Sequence, residues 1–158
     1  MGVMQRLIGA YLRRRVRARA DGKTLDQLAD QLTASRDALM PRILGAADSA
    51  WNREAINHWV GIERWSLDRI RQWRHPPTEL GSYRPFRGPE GSSLEDLQEA
   101  FARTRQESIA LSREMARQED VDLAVTIPHN DLGPLTVTEW FEYIDDHSMR
   151  ERLRLRGQ

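Results

Sequence analysis

His147 and Glu151 stand four residues apart near the end of the chain, and their types and spacing suit metal chemistry. Read at about 3.6 residues per turn, the stretch from Thr136 to Arg156 puts Trp140, Ile144, His147, Glu151 and Leu155 on one stripe. Arg150, Arg152, Arg154 and Arg156 fall mostly off it. A histidine and a carboxylate therefore share an apolar face. At i and i+4 they lie about 6 Å apart on the same side and can converge on one ion. Such a pair needs a further ligand from elsewhere in the fold. The chain has no cysteine, which excludes thiolate sites, disulfides and cysteine nucleophiles, so any metal must be held by His, Asp or Glu. Of the other histidines, His75 precedes Pro76-Pro77 and His129 adjoins the turn-forming run Asn130 to Pro134. Both read as solvated. His58 lies inside a long helical pattern, and its direction depends on which stripe of that helix faces inward.

The elements that must position these residues are all helical. Thr136 with Glu139 is a capping box that starts the last helix. Thr24 with Gln27 is another, opening a helix whose Leu25, Leu28, Leu32, Leu39 and Ile43 form a bundle stripe, with Pro41 and Gly45 near its end. From about Asn52 to Arg74 the chain carries two stripes, Ile56-Val60-Leu67-Ile70 and Trp51-His58-Ile62-Trp65, as expected of a helix with two neighbours. Glu63 falls near the first stripe, so it either reaches the surface or holds something. Ser92 with Glu95 predicts a third capping box. It precedes Leu94, Leu97, Phe101, Thr104, Ser108, Leu111 and Met115, a heptad-like run ending near Gln118. Small polar Thr104 and Ser108 mark either close helix contact or room for a pocket. His75 to Gly91 and residues 119–135 are long connections, the second with an extended piece over Val121 to Ile127. Connections of that length permit successive helices to run parallel.

At 158 residues, with 39% apolar and 30% charged side chains and no net charge, the chain reads as one soluble globular domain. No apolar run reaches the roughly 18 to 20 residues of a membrane span, and the first arginines follow rather than precede the short apolar stretch, against the order of a signal peptide. A cytoplasmic protein without membrane contact is expected. Residues 1–22 form a basic helical extension, with Arg6, Arg13, Arg14, Arg15, Arg17 and Arg19 and no acid before Asp21. Phosphate binding is one reading of such a cluster. No nucleic-acid-reading motif accompanies it, so a solvated, partly frayed helix is expected in front of a bundle domain over residues 23–158. Glycine-rich phosphate loops and a Gly-x-Ser-x-Gly elbow are absent.

Two segments carry a family resemblance. Arg53-Glu54-Ala55-Ile56-Asn57-His58-Trp59-Val60-Gly61-Ile62-Glu63-Arg64-Trp65 and Leu135-Thr136-Val137-Thr138-Glu139-Trp140-Phe141-Glu142-Tyr143-Ile144-Asp145-Asp146-His147, in this order and spacing, resemble the DinB-like superfamily over roughly residues 24 to 156. The resemblance implies an all-α, up-down-down-up four-helix bundle, frequently a homodimer. It implies a divalent ion held by one histidine from the helix containing His58 and by an H-x-x-x-H pair on the last helix. His58 and His147 match two of those ligands, and Glu151 stands where the third histidine would be. Two imidazoles and a carboxylate remain a sound set for zinc or nickel, and for manganese or iron.

Family members with a working site include transferases and isomerases that use low-molecular-weight thiols, and hydrolases. The resemblance thus implies a metal-activated thiol cosubstrate or water attacking an electrophilic small molecule. The alternative is a metal-free bundle serving as a stress-associated binding or accessory protein, in which His147 and Glu151 satisfy each other or a neighbour such as Arg150 or His58. Trp140 is the candidate pocket wall.

Overall fold

The computed structural model describes residues 3–157, and of Val3, Gln5 and Arg6 the backbone alone. Five α-helices account for most of these residues: α1 (Val3–Ala20), α2 (Leu25–Leu44), α3 (Ala50–Arg71), α4 (Leu94–Ala116) and α5 (Val137–Glu151). A two-stranded antiparallel hairpin, β1 (Thr126–His129) and β2 (Gly133–Thr136), leads into α5.

Local chemistry sets the helix starts. The capping boxes of Thr24 with Gln27 and Thr136 with Glu139 are both formed. The third lies one residue later than the sequence pattern predicts, because Ser93 and Asp96 form it. Ser92 instead donates to the Pro89 carbonyl and closes the preceding turn. Ser49 caps α3 through the Asn52 amide. Pro41 is accommodated inside α2, and the helix runs on to Leu44. The last helix stops at Glu151 and tightens into a 3-10 turn over Arg152–Arg154.

Packing follows the apolar stripes. Both α2 and α3 lie against α4 and also against α5. One core cluster joins Leu28, Leu32, Trp65, Leu67, Ile70, Ile109, Trp140, Phe141 and Ile144; a second, toward the other end, joins Leu39, Ile43, Ile56, Trp59, Val60, Phe101 and Leu155. Burying each large apolar side chain contributes about 1.5–3 kcal/mol, so these two clusters dominate the stability of the helical assembly. Among the described residues no helix is long and apolar enough to cross a membrane.

α1 lies along α5, with Val16 and Ala20 buried. Arg15 pairs with Asp146 and Arg19 with Glu142, so a rising number on one helix meets a falling number on the other and the two run antiparallel. Arg17 pairs with Glu139 and donates to the Pro134 carbonyl. Half of the arginine cluster is thus engaged within the fold. The side chain of Arg6 lies outside the described residues.

Candidate functional site

α3 and α5 bring His58 and His147 together, their ring centroids 5.2 Å apart and their planes inclined by 55°. Tyr83, from the long connection after α3, meets the His58 ring edge-on at 4.9 Å. Gly61 makes this approach possible. A Cβ there would lie 2.6 Å from Arg87 Cγ and 3.2 Å from Tyr83 Cδ2, so only a glycine lets the connection lie so close to α3 one turn after His58. On the other side Tyr143 stands 5.8 Å from the His147 ring. His147 is buried and His58 half-buried.

The electrostatics keep both rings neutral. Burial pushes the His147 pKa well below its ordinary value, helped by the neighbouring His58, Arg150, His129 and Arg154. Burial also lowers that of His58; Glu151 pulls it back up, while Arg154 and Arg87 oppose Glu151. A neutral imidazole offers a lone pair to a metal. Neither ring has a hydrogen-bond partner among the described residues, so both nitrogens of each are uncommitted.

Glu151 is the last residue of α5, and one of its oxygens accepts from Arg154 Nη1 at 2.6 Å. Its effect on His58 places it within electrostatic reach of that ring. Among the described residues, no three of His, Cys, Asp or Glu are already grouped to hold a metal ion. Two of the three expected ligands therefore meet, and the third is engaged by an arginine. The ring spacing itself fits a shared ion: with metal–nitrogen bonds of 2.0–2.1 Å and a tetrahedral angle, two imidazole centroids fall about 5 Å apart.

His129, expected at the surface, is buried at 3% exposure. Its Nδ1 accepts the backbone amides of Asp131 and Leu132 at 3.1 and 3.2 Å, so the ring folds back and builds the hairpin turn itself. It then packs against Trp65, Trp140 and Tyr143. Burial, with a contribution from Arg69, pushes its pKa down to about 3. Trp140 is fully buried beside it and donates its indole N–H to the Ile127 carbonyl. It supports the Tyr143 ring rather than lining open space.

Among the described residues, buried side chains fill the bundle interior at Thr104 and Ser108. Glu63 holds Arg105 there: the guanidinium, 0% exposed, donates to both carboxylate oxygens and to the hydroxyls of Ser35 and Ser148, while Ser108 donates to Glu63 Oε1. Thr104 accepts from Arg64. Sequence reasoning also passed over three buried acids of α5, Glu142, Asp145 and Asp146. The signal was present, since Arg15 and Arg19 repeat at i and i+4 as Glu142 and Asp146 do, a pattern that matches two antiparallel helices.

The chain matches no family model, no curated protein and no solved structure.

Proposed function

We propose that the chain is a divalent-metal-dependent enzyme of the DinB-like type, in which His58, His147 and Glu151 hold the ion and a low-molecular-weight thiol or water is activated against an electrophilic small molecule. The observation that carries this reading is the pair of neutral, uncommitted imidazoles on α3 and α5, spaced as two ligands of one ion are spaced. The packing of both α2 and α3 against α4 and α5 supports the proposed four-helix bundle, and the cluster that joins the end of α2 (Leu39, Ile43) to the starts of α3 and α4 (Ile56, Leu97) and to Leu155 after α5 supports its up-down-down-up path. A cytoplasmic homodimer belongs to the same proposal.

A divalent ion at this site would supply Lewis acidity, lowering the pKa of a thiol or water beside it. The chain's own groups do the rest. His58 and His147 stay unprotonated because burial and the flanking arginines disfavour a charged ring. Tyr83 partly covers His58, and Tyr143 with Trp140 behind it walls the His147 side, so bulk water is held back from the His147 ring. Arg87, next to this cover, pairs with Glu54 on α3 and fixes the connection that carries Tyr83.

The test is elemental analysis of protein purified without a metal-binding tag, alongside His147→Ala and Glu151→His. About one zinc or nickel per chain in the native protein, lost in His147→Ala, is expected. A second reading, the metal-free binding or accessory bundle, is favoured by the engagement of Glu151 with Arg154. On that reading the native protein takes up no metal, and Glu151→His creates tight binding.

A further inference from the structure

Away from the paired histidines, several buried polar atoms lack partners, and a group of them lies in one place. Trp65 Nε1, Arg69 Nε and His129 Nε2 are buried without a hydrogen-bond partner among the described residues. The three side chains are 3%, 6% and 3% exposed. They are neighbours: the Trp65 and His129 rings are 5.2 Å apart, and the Arg69 guanidinium carbon stands 5.8 Å from the Trp65 ring centroid. The connection after α3 closes over them at Gly81. A Cβ at Gly81 would overlap Arg69 Nη2 and come 3.7 Å from Trp65 Nε1, so the backbone seals the site where a side chain would not fit. Asn130 fastens this lid by donating its amide to the Gly81 carbonyl.

All three orphaned nitrogens are donors. Indole and guanidinium nitrogens carry protons always. The His129 tautomer is fixed by its other nitrogen: Nδ1 accepts two backbone amides, so the neutral ring carries its proton on Nε2. Arg69 adds a charge. Its hydrogen bond is from Nη1 to the Glu79 carbonyl at 3.1 Å, and no carboxylate stands within ion-pair distance among the described residues. A buried guanidinium without a counter-ion is costly, as is each buried N–H without an acceptor. An internal water would accept from two of the donors and leave the charge uncompensated. Asn130 Oδ1 is the nearby acceptor, set against three donors and a cation.

We infer that Trp65, Arg69 and His129 form a buried binding site for a small anion, a halide or a compact oxyanion such as nitrate or a carboxylate group, beneath the Gly81 segment. The site is separate from the paired histidines and does not depend on their binding a metal.

The experiment is an NMR titration of the full chain with sodium chloride, nitrate and acetate. Ionic strength is held constant with sodium gluconate, whose anion is too large to enter. The Trp65 indole and His129 Nε2–H resonances report on the site, and Trp65→Phe deletes one donor while keeping an aromatic ring in place. Saturable shifts with at least one anion are expected, with affinity about tenfold weaker in Trp65→Phe as read from the His129 resonance. Nitrate and acetate saturating without chloride would assign an oxyanion site; chloride saturating as well would assign a general one. Shifts that never saturate, equal affinity in Trp65→Phe, or water contacts at both N–H groups with no response to anions would overturn the proposal.

Discussion

Arg105→Met should destabilise the fold strongly, and adding Glu63→Met should restore much of the loss. Arg105 is 0% exposed and its hydrogen bonds run 2.8 and 3.0 Å to Glu63, 2.8 Å to Ser35 and 2.7 Å to Ser148. Removing it leaves the Glu63 carboxylate buried with the Ser108 hydroxyl as its remaining partner. Breaking a buried pair in this way costs about 3–5 kcal/mol. For a chain of this size each kcal/mol lowers Tm by roughly 2–4 °C, so a fall of roughly 6–20 °C is expected. The double variant removes both charges. The hydroxyls that served them keep acceptors of their own: Ser35 and Ser148 donate to the carbonyls of Leu32 and Ile144, and Ser108, released from Glu63, turns its one proton to the Thr104 carbonyl 3.1 Å away. Methionine also fills much of the vacated volume. The double should therefore lose only about 0–2 kcal/mol, on the pattern of buried ion pairs replaced by apolar groups. Urea denaturation followed by far-ultraviolet circular dichroism measures all four proteins. A double variant less stable than either single would refute the reasoning, and would mean that the polar network holds the helices in register rather than satisfying its own members.

Acid should destabilise the protein below about pH 6.5 through its buried histidines. In unfolded chain a histidine takes up a proton near 6.5, whereas folded His129 resists until about 3 and folded His147 is also shifted well down. Between those values the unfolded state binds more protons, so stability falls as the pH falls, by about 2 kcal/mol for His129 at pH 5 relative to neutrality, with His147 adding in the same direction. His129→Gln should remove one histidine's share of the slope in urea midpoints measured from pH 7.5 to 5; an unchanged slope counts against the shift. Along α1, Glu142→Ala should cost about 1–3 kcal/mol. It removes the buried acceptor shared by Arg19, Lys23 and Gln31, while the two cations, partly exposed, regain water. Hydrogen exchange in residues 8–20 should accelerate selectively, and uniform protection in the variant would show that apolar contacts alone hold α1.

How much of this was legible depended on whether a residue's partner was local. Capping boxes at Thr24 and Thr136 involve residues three apart and could be read directly; the third was displaced by one position because adjacent Ser92 and Ser93 offer the same hydroxyl. His147 and Glu151 stand out in the sequence by the same local spacing, whereas the partner the structure gives Glu151 is Arg154, three positions on. His129 was not, because an imidazole that accepts two turn amides does what Asn or Asp does in an Asx turn, and its residue type gives no such warning. Glu63 could be recognised as needing a partner, but Arg105 lies 42 positions away on another helix and only the packing of α3 on α4 joins them. The α1 arginines illustrate the same limit, since their acids are more than 100 positions distant.

The Arg154–Glu151 pair decides how the two functional readings compare, and magnitudes decide the pair. At the end of α5 the chain turns through Arg152–Arg154, which carries Arg154 back onto Glu151. Arg154 thereby acts on the site twice: it occupies the carboxylate, and its charge helps keep His58 and His147 neutral. The first effect opposes an ion and the second prepares for one. The pair is half open to solvent, 49% on the arginine side and 16% on the glutamate. Exposed pairs of this kind contribute about 0.2–1 kcal/mol. Structural zinc sites in small folds contribute on the order of 10 kcal/mol at neutral pH. Releasing Glu151 from Arg154 is therefore a small cost against the metal bond it would join, and the ion pair is no barrier to a third ligand.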